Sequence, residues 1–595
     1  MKKKYFTLLF LLPVILVHAQ SWHTKVHESV FKDISEKSQS NIIIYLKQQT
    51  DLSGADILET KEEKGAFVFQ KLIQTATLSQ GRIISFLQNK NIVFQNFWIV
   101  NCISLKADMP LIEILAGFDE VEKIVKNPKT FKSEPSINSF EFPKSEIRNP
   151  KSLMPPDTVI KSWGYARIKA DNVWVLGYRG QGVVVGGEDT GIEWTHPALI
   201  KKYRGYNNGG TPVHDYNWHD AIHPDTTKNP CGYNTQAPCD DNNHGTHTMG
   251  SMVGGTIGTN KDTVIIGVAP DAQWIGARNM DQGNGTLASY VECFQFFLAP
   301  TNLKNLLPDT KKAPHVVNNS WYCAESEGCN ASNYNILENA MNALRSSGVV
   351  VVVSNGNAGP ACATTNGPPA FFKKAFSVGA TAINDTVAGF SSRGAVTLDS
   401  SKRLKPNVCA PGVGILSSVK GGVYALNSGT SMSGPHIVGV VALMISANPK
   451  LAGQVDTIES IIEATAVHLV TAENCGGISG QTVPNNTYGY GRVDALAAVK
   501  RSLLYKTTAI QDIKPATVNV FPNPFSNELN IKTESIFGNA NVQIFNATGQ
   551  LIFSQKNNFT LQPLFQILLP QSASGLYFYR IENEQISLTG KIVKN

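Results

Sequence analysis

Charge is scarce in this 595-residue chain: 16% of its residues are charged, and the formal net charge is only +6. Three of the positive charges, Lys2, Lys3 and Lys4, stand at the extreme N-terminus. No basic stripe remains from which to argue a nucleic-acid partner. Long apolar runs are scarce as well. Past the first twenty residues no stretch reads as long enough to cross a bilayer, so no transmembrane segment is expected.

The basic start has its own explanation. Lys2–Lys4 precede an apolar stretch, Phe6–Val17, interrupted by Pro13, and Val17-His18-Ala19 suits a small-residue cleavage site before Gln20. The run is too short to span a membrane comfortably, so residues 1–19 read as a secretory signal peptide. In an exported chain, nine cysteines favour disulfides over metal or cytosolic redox chemistry. Cys231 with Cys239, and Cys323 with Cys329, would each staple a short loop, an unfolded-state effect of about 2–3 kcal/mol. Cys102, Cys293, Cys362, Cys409 and Cys475 remain. Their number is odd, so at least one thiol is expected free and buried. Cys362 and Cys475 are candidates for a pair, although spacing does not fix connectivity.

A chain of this length needs several cores. Residues 20–127 read as a small α+β unit: a strand at Asn41–Leu46, helical spacing over Phe67–Leu87, a hairpin within Ile92–Leu105, a short helix from Leu111 and a strand at Val121–Val125. That order fits a ferredoxin-like fold. Residues 128–160 carry six prolines and little periodicity, as a linker does. Residues 161–505 alternate short continuous apolar runs (Val183–Gly187, His315–Asn318, Val349–Val353, Phe376–Gly379) with helical patterns, which predicts an α/β domain on a mainly parallel sheet. From 515 to 595, alternating strands and turns predict a small β-sandwich.

The stretch Asn427-Ser-Gly-Thr-Ser-Met-Ser-Gly-Pro-His436 carries the chemistry. It places Ser431 at the first turn of an apolar helix, where free N–H groups and the helix dipole favour an oxyanion. A serine nucleophile needs an imidazole base and a carboxylate to fix its tautomer. Asp189 ends an apolar strand, where open α/β sheets place their sites. His244 lies in Asn242-Asn-His-Gly-Thr-His247. Asn357, after the strand Val349–Val353, offers a side-chain donor and the Ser431 N–H a second. The order Asp…His…Ser differs from that of α/β-hydrolases, and Ser433 replaces the last Gly of a Gly-x-Ser-x-Gly elbow.

Asp189-Thr-Gly, His244-Gly-Thr-His and Gly429-Thr-Ser-Met together resemble the three active-site motifs of the subtilisin-like (S8) serine peptidases. Gly267-Val-Ala-Pro270, Asn318-Asn-Ser-Trp321, Phe390-Ser-Ser-Arg-Gly394 and Ala410-Pro-Gly412 extend the likeness. Trp163-Gly164, Tyr203-Arg-Gly205 and Gly489-Tyr-Gly-Arg-Val-Asp494 point to its bacillopeptidase F-like branch. The resemblance implies a three-layer α/β fold and a secreted endopeptidase. Its catalytic residues would be Asp189, His244 and Ser431, with Asn357 as oxyanion residue and Ser320, Trp321 and Tyr322 along the substrate. It also implies that residues 20–127 are a pro-domain, inhibitor and folding aid, removed by self-cleavage within 128–160. Residues 515–595 resemble a type IX secretion sorting domain through Val520-Phe-Pro-Asn-Pro-Phe525, Gly575-Leu-Tyr-Phe-Tyr-Arg580 and Gly590-Lys-Ile-Val-Lys-Asn595. The expected partners are therefore protein or peptide substrates, the chain's own pro-domain and the type IX machinery. The alternative is a catalytically silent surface binding protein on the same fold.

Some residues depart from the pattern. Tyr322 stands where subtilisins usually have Gly, either across the primary pocket or out in solvent. Asn355 replaces a small apolar residue. Glu188 faces away from Asp189 by strand periodicity and reads as structural. The chemistry requires no cofactor. The usual structural calcium site is not supported, because Ala198 follows His196-Pro197 where an Asp ligand is common. The cluster His214-Asp215, His219-Asp220 and His223-Pro-Asp225 reads as a solvated loop, and His247 and His436 as packing residues.

Overall fold

The computed structural model describes residues 22–127, 159–224, 228–257, 263–505, 518–533, 539–559, 564–582 and 587–595. The expected signal peptide and residues 128–158 of the expected linker lie outside the described residues, as does Asp225. The chain divides into two compact units, Met1–Lys506 and Thr507–Asn595.

The first unit is organised by a seven-stranded parallel sheet. Across it run Val408–Pro411, Phe376–Thr381, Val350–Ser354, Val316–Asn319, Val184–Asp189, Gln273–Arg278 and Trp218–Asp220. After Val184–Asp189 the chain first builds outward to one side, then returns to lay Val316–Asn319 on the other. The strand order thus reverses between Asp189 and Asn319, and ligands of open α/β sheets bind at the carboxyl ends of strands at such a reversal.

Both faces of the sheet are covered, which is why its central strands open in apolar runs such as Val183–Val185 and Val349–Val353. On one face the helices His244–Val253 and Thr430–Ala447 bury Met249, Met252, Ile437 and Val441 against Val185, Val316 and Val352. On the other, Leu287–Leu298 and Tyr334–Ser346 bury Phe294, Phe297, Leu337 and Leu344 against Val317, Val351 and Val353. Thr430–Ala447 is long and apolar enough to cross a membrane by length and composition, but it is enclosed within this core.

The N-terminal segment forms a four-stranded antiparallel sheet in the order Phe94–Phe97, Cys102–Ala107, Ser40–Leu46, Val121–Lys126. A capping box between Thr60 and Glu63 starts its 29-residue helix, Lys61–Asn89, earlier than apolar spacing predicts. One sheet face packs on the segment's own helices through Ile42, Ile44, Ile83 and Leu115. The other places Ile43, Tyr45, Phe97 and Val125 in the same core as Phe294 and Leu337. Contacts therefore join residues 22–127 to the main sheet instead of setting them apart.

The second unit has sheets of three and four antiparallel strands around one core of Phe525, Leu529, Ile531, Val542, Ile544, Ile581 and Ile592. Strands Leu564–Leu568 and Ser587–Lys594 add to those expected from the sequence. Disulfides join Cys231 to Cys239, Cys323 to Cys329 and Cys362 to Cys475, while Cys102, Cys293 and Cys409 are free and buried.

Candidate active site

Three adjacent strands deliver three of the expected site segments to one edge of the sheet: Asp189, Ser320 just past Asn319, and Asn357 beyond Ser354. The two helices of one face supply the rest, since His244 and Ser431 both lie in first turns. Asn243 precedes its helix at φ 93°. Gly245 follows His244 because a Cβ there would lie 2.0 Å from the Gly191 carbonyl oxygen. This close approach seats the His244 helix on the Asp189 turn.

His244 Nδ1 is 2.7 Å from Asp189 Oδ1. The same carboxylate accepts from the Thr190 N–H at 2.8 Å and from the Thr248 hydroxyl at 3.2 Å. Burial opposes a charge on His244, but the adjoining Asp189 carboxylate outweighs it and holds the imidazole above its ordinary range. His244 Nε2 is buried and makes no hydrogen bond. It is the ring atom left for a proton from a substrate or nucleophile.

Ser431 is 3% exposed. Its hydroxyl donates to the Ser320 carbonyl at 3.2 Å, not to His244. A second bond runs the other way, from the Ser320 hydroxyl to the Ser431 carbonyl at 2.9 Å. Pro435 makes this return bond necessary. It has no N–H to give the carbonyl four residues back, so that carbonyl requires an outside donor.

Asn357 Oδ1 accepts from both the Thr430 N–H and the Thr430 hydroxyl at 2.9 Å. That orients the amide. Its Nδ2 and the Ser431 backbone nitrogen lie 3.7 and 3.6 Å from the point a Cβ on Gly429 would occupy, with the Met432 sulfur also at 3.7 Å, so both nitrogens border one space that Gly429 leaves open. Such a pair suits a developing oxyanion.

The flanking residues differ in exposure. Trp321 is turned inward and stacks on Tyr290 at 3.9 Å. Tyr322 is 40% exposed and its ring lies against Gly367, where an added Cβ would meet it at 3.0 Å. Asn355 is buried and donates to Thr365 and the Ser392 carbonyl. Glu188 is fully buried, accepts from Asn279, and is pushed well above the carboxylate range by burial.

The histidine cluster at 214–223 is not the solvated loop expected: Trp218–Asp220 is a buried strand of the main sheet, and the cluster's histidines are bound to protein groups. His214 meets the Tyr203 hydroxyl, and His219 and His223 share Glu292 at 2.9 Å each. Burial keeps His247 neutral, down to about 3, and His436 down to about 4. Ala198, in the place of the usual Asp ligand, packs with Val264, Ile266 and Tyr424. Among the described residues no cluster of three or more His, Cys, Asp or Glu side chains has the arrangement of a metal site.

The profile described as the Subtilase family matches residues 180–491. The chain belongs to the subtilase family. It is 34% identical over 511 residues to bacillopeptidase F of Bacillus subtilis (strain 168), covering 81% of this chain and 33% of that one. It is 32% identical over 339 residues to subtilisin BL of Lederbergia lenta, 57% of this chain and 98% of the relative. The chain thus spans about a third of bacillopeptidase F and nearly all of subtilisin BL. Residues 519–595 match the secretion system C-terminal sorting domain, which marks this subtilase as a secreted or cell-surface protein.

Proposed function

We propose that this subtilase is a serine endopeptidase that cleaves peptide bonds of proteins. Ser431 Oγ attacks the scissile carbonyl while His244 Nε2 takes its proton, and Asp189 holds the imidazole and stabilises its charge. Asn357 Nδ2 and the Ser431 N–H receive the oxyanion. His244 then protonates the leaving amine, and water releases the acyl group by the same steps in reverse order. No cofactor enters this chemistry. In the resting arrangement Ser431 Oγ donates to Ser320, so the hydroxyl must turn its proton to His244 before the attack.

The observation that carries the reading is the buried Asp189–His244 bond, with Nε2 unpartnered. The two nitrogens that border the space left open at Gly429 support it. Of Ser320, Trp321 and Tyr322, only Tyr322 has large exposed area and is taken to meet the substrate side chain.

Residues 20–127 act in this reading as a ferredoxin-like pro-domain that inhibits and aids folding until a cut within 128–160. Their antiparallel sheet, its helices on one face and the main domain on the other, favours that role. The C-terminal β-sandwich is the address read by the type IX machinery.

The test is an active-site serine probe applied to the secreted protein and to Ser431→Ala. Labelling of wild type alone is expected, and a folded but unlabelled wild type would leave the silent surface protein as the better reading. N-terminal sequencing of both reads the cut, expected within 128–160 in wild type and absent from Ser431→Ala.

A further inference from the structure

Asp240 lies four residues before His244, next to the Cys231–Cys239 disulfide, and is 2% exposed. Its Oδ1 accepts from the Thr190 hydroxyl and from the N–H groups of Asn242 and Asn243, each at 2.9 Å. Its Oδ2 accepts from the Thr246 N–H at 2.9 Å and the Thr246 hydroxyl at 2.6 Å. Both oxygens are thus used, and every donor is neutral.

A helix cap would need only the bonds to its own helix. The bond to Thr190 goes elsewhere, to the residue that follows Asp189. Thr190 Oγ1 also accepts from the Gly245 N–H at 3.0 Å. The free N–H groups at the start of the His244 helix are therefore bound by the Asp189 turn and by Asp240 together. A closed circuit results: Asp189, Thr190, Asp240, Thr246 and Gly245, His244, and back through the 2.7 Å bond to Asp189.

We propose that Asp240 is a positioning residue for the Asp189–His244 pair, locking the strand turn to the helix start so that the imidazole is aimed before substrate arrives. The inference rests on the peptidase reading. In its absence the turn and the helix start stay joined by the Gly245–Thr190 and Thr248–Asp189 bonds and the close approach at Gly191, but Thr190 and Thr246 lose the acceptor that fixes them to each other. A misplacement of about 1 Å in a catalytic group costs about 10²-fold in rate. The Asp240 charge also raises the proton affinity of His244, alongside Asp189. The other titratable groups about these two are His247, one turn along the helix, and Asp241.

The test uses the full chain, with rates expressed per site titrated by the serine probe. Asp240→Asn places an NH2 against the Thr246 donors and removes the charge. We expect kcat lower by about 10²-fold with KM within about twofold, and the acid limb of kcat/KM displaced to lower pH. An unmoved limb with kcat within about threefold of wild type overturns the proposal, as does a lower melting temperature with full kcat per titrated site. If Asp240→Asn does not fold, Thr190→Val decides. It cuts the circuit but keeps the charge, so a roughly tenfold lower kcat with an unmoved limb is expected, and an unchanged kcat overturns the proposal. If wild type takes no probe, the peptidase reading alone has failed. NMR titration of the His244 imidazole then decides: a lower midpoint in Asp240→Asn supports the charge-coupled positioning, and an identical one overturns it.

Discussion

The segments on either side of the central domain are both small and both built on antiparallel sheet, yet they are held in different ways. In the N-terminal segment the strand Ser40–Leu46 sends Ile42, Ile44 and Leu46 into the segment's own core and Ile43 and Tyr45 into that of the central domain. In the C-terminal unit Val542 and Ile544 face the core while Gln543 is on the other face. An antiparallel sheet normally alternates apolar and polar residues, because one face meets water. The unbroken run Ile42-Ile-Ile-Tyr-Leu46 records a second buried face, and hence a partner. Polar contacts at the seam follow. Lys61 and Lys64 donate to the carbonyls of Ala313 and Gly453, and Gln295 accepts from Trp98 and Ile99.

The largest effect expected is that of Ser431→Ala, a loss of about 10⁶-fold in kcat toward a peptide substrate. It also sharpens the comparison: the uncut protein keeps its N-terminal segment covalently, so the seam can be measured without proteolysis. In that background Ile43→Asp is expected to cost about 3–5 kcal/mol by denaturant unfolding, because it buries an unpaired charge. Gln543→Asp, the matching change in the one-faced strand, should stay within about 0.5 kcal/mol. Equal costs would break the distinction between two-faced and one-faced strands.

Asn357→Ala is next, expected to lower kcat by about 10²–10³-fold with little change in KM, read by steady-state kinetics. The pH dependence follows in size. His244 must be neutral to accept a proton, and its proton affinity lies above that of a free imidazole. Activity should therefore fall about tenfold per pH unit below a midpoint higher than the unperturbed value of about 6.5, and remain full above it. A midpoint below 6.5 in the pH–rate profile would contradict the Asp189 contact. The smallest effect is expected from removal of residues 507–595. That unit closes its own core, so kcat/KM per titrated site should change by less than about twofold.

Much of this was legible in the chain. Val184–Asp189, Val316–Asn319 and Val350–Ser354 open in runs of Val, and the C-terminal strands are bounded by Asn523-Pro524, Thr548-Gly549 and Ser574-Gly575. Gln273–Arg278 was not, because its apolar stretch is short and ends in Arg278. That arginine is fully buried only because Asp220, Asp241, Asn229 and the Gly232 carbonyl surround it. Asp240 gave no signal beyond its place before His244. Its function depends on Thr190, fifty residues away.

The sequence by itself determined the chemistry on offer: a carboxylate at a strand end, an imidazole and a hydroxyl at helix starts, and an amide donor after a strand. Local backbone preference and apolar periodicity act over a few residues, and that is the range in which such features are written. Which of them meet was decided by the tertiary structure. The reversal of strand order brings Asp189 and Ser320 to one crevice, and the close contact at Gly245 sets His244 on Asp189. The choice of Ser320 as the donor that satisfies the carbonyl left open by Pro435 was made there too. Each is a contact between segments far apart in sequence, formed because the sheet and its helices must bury their apolar faces together.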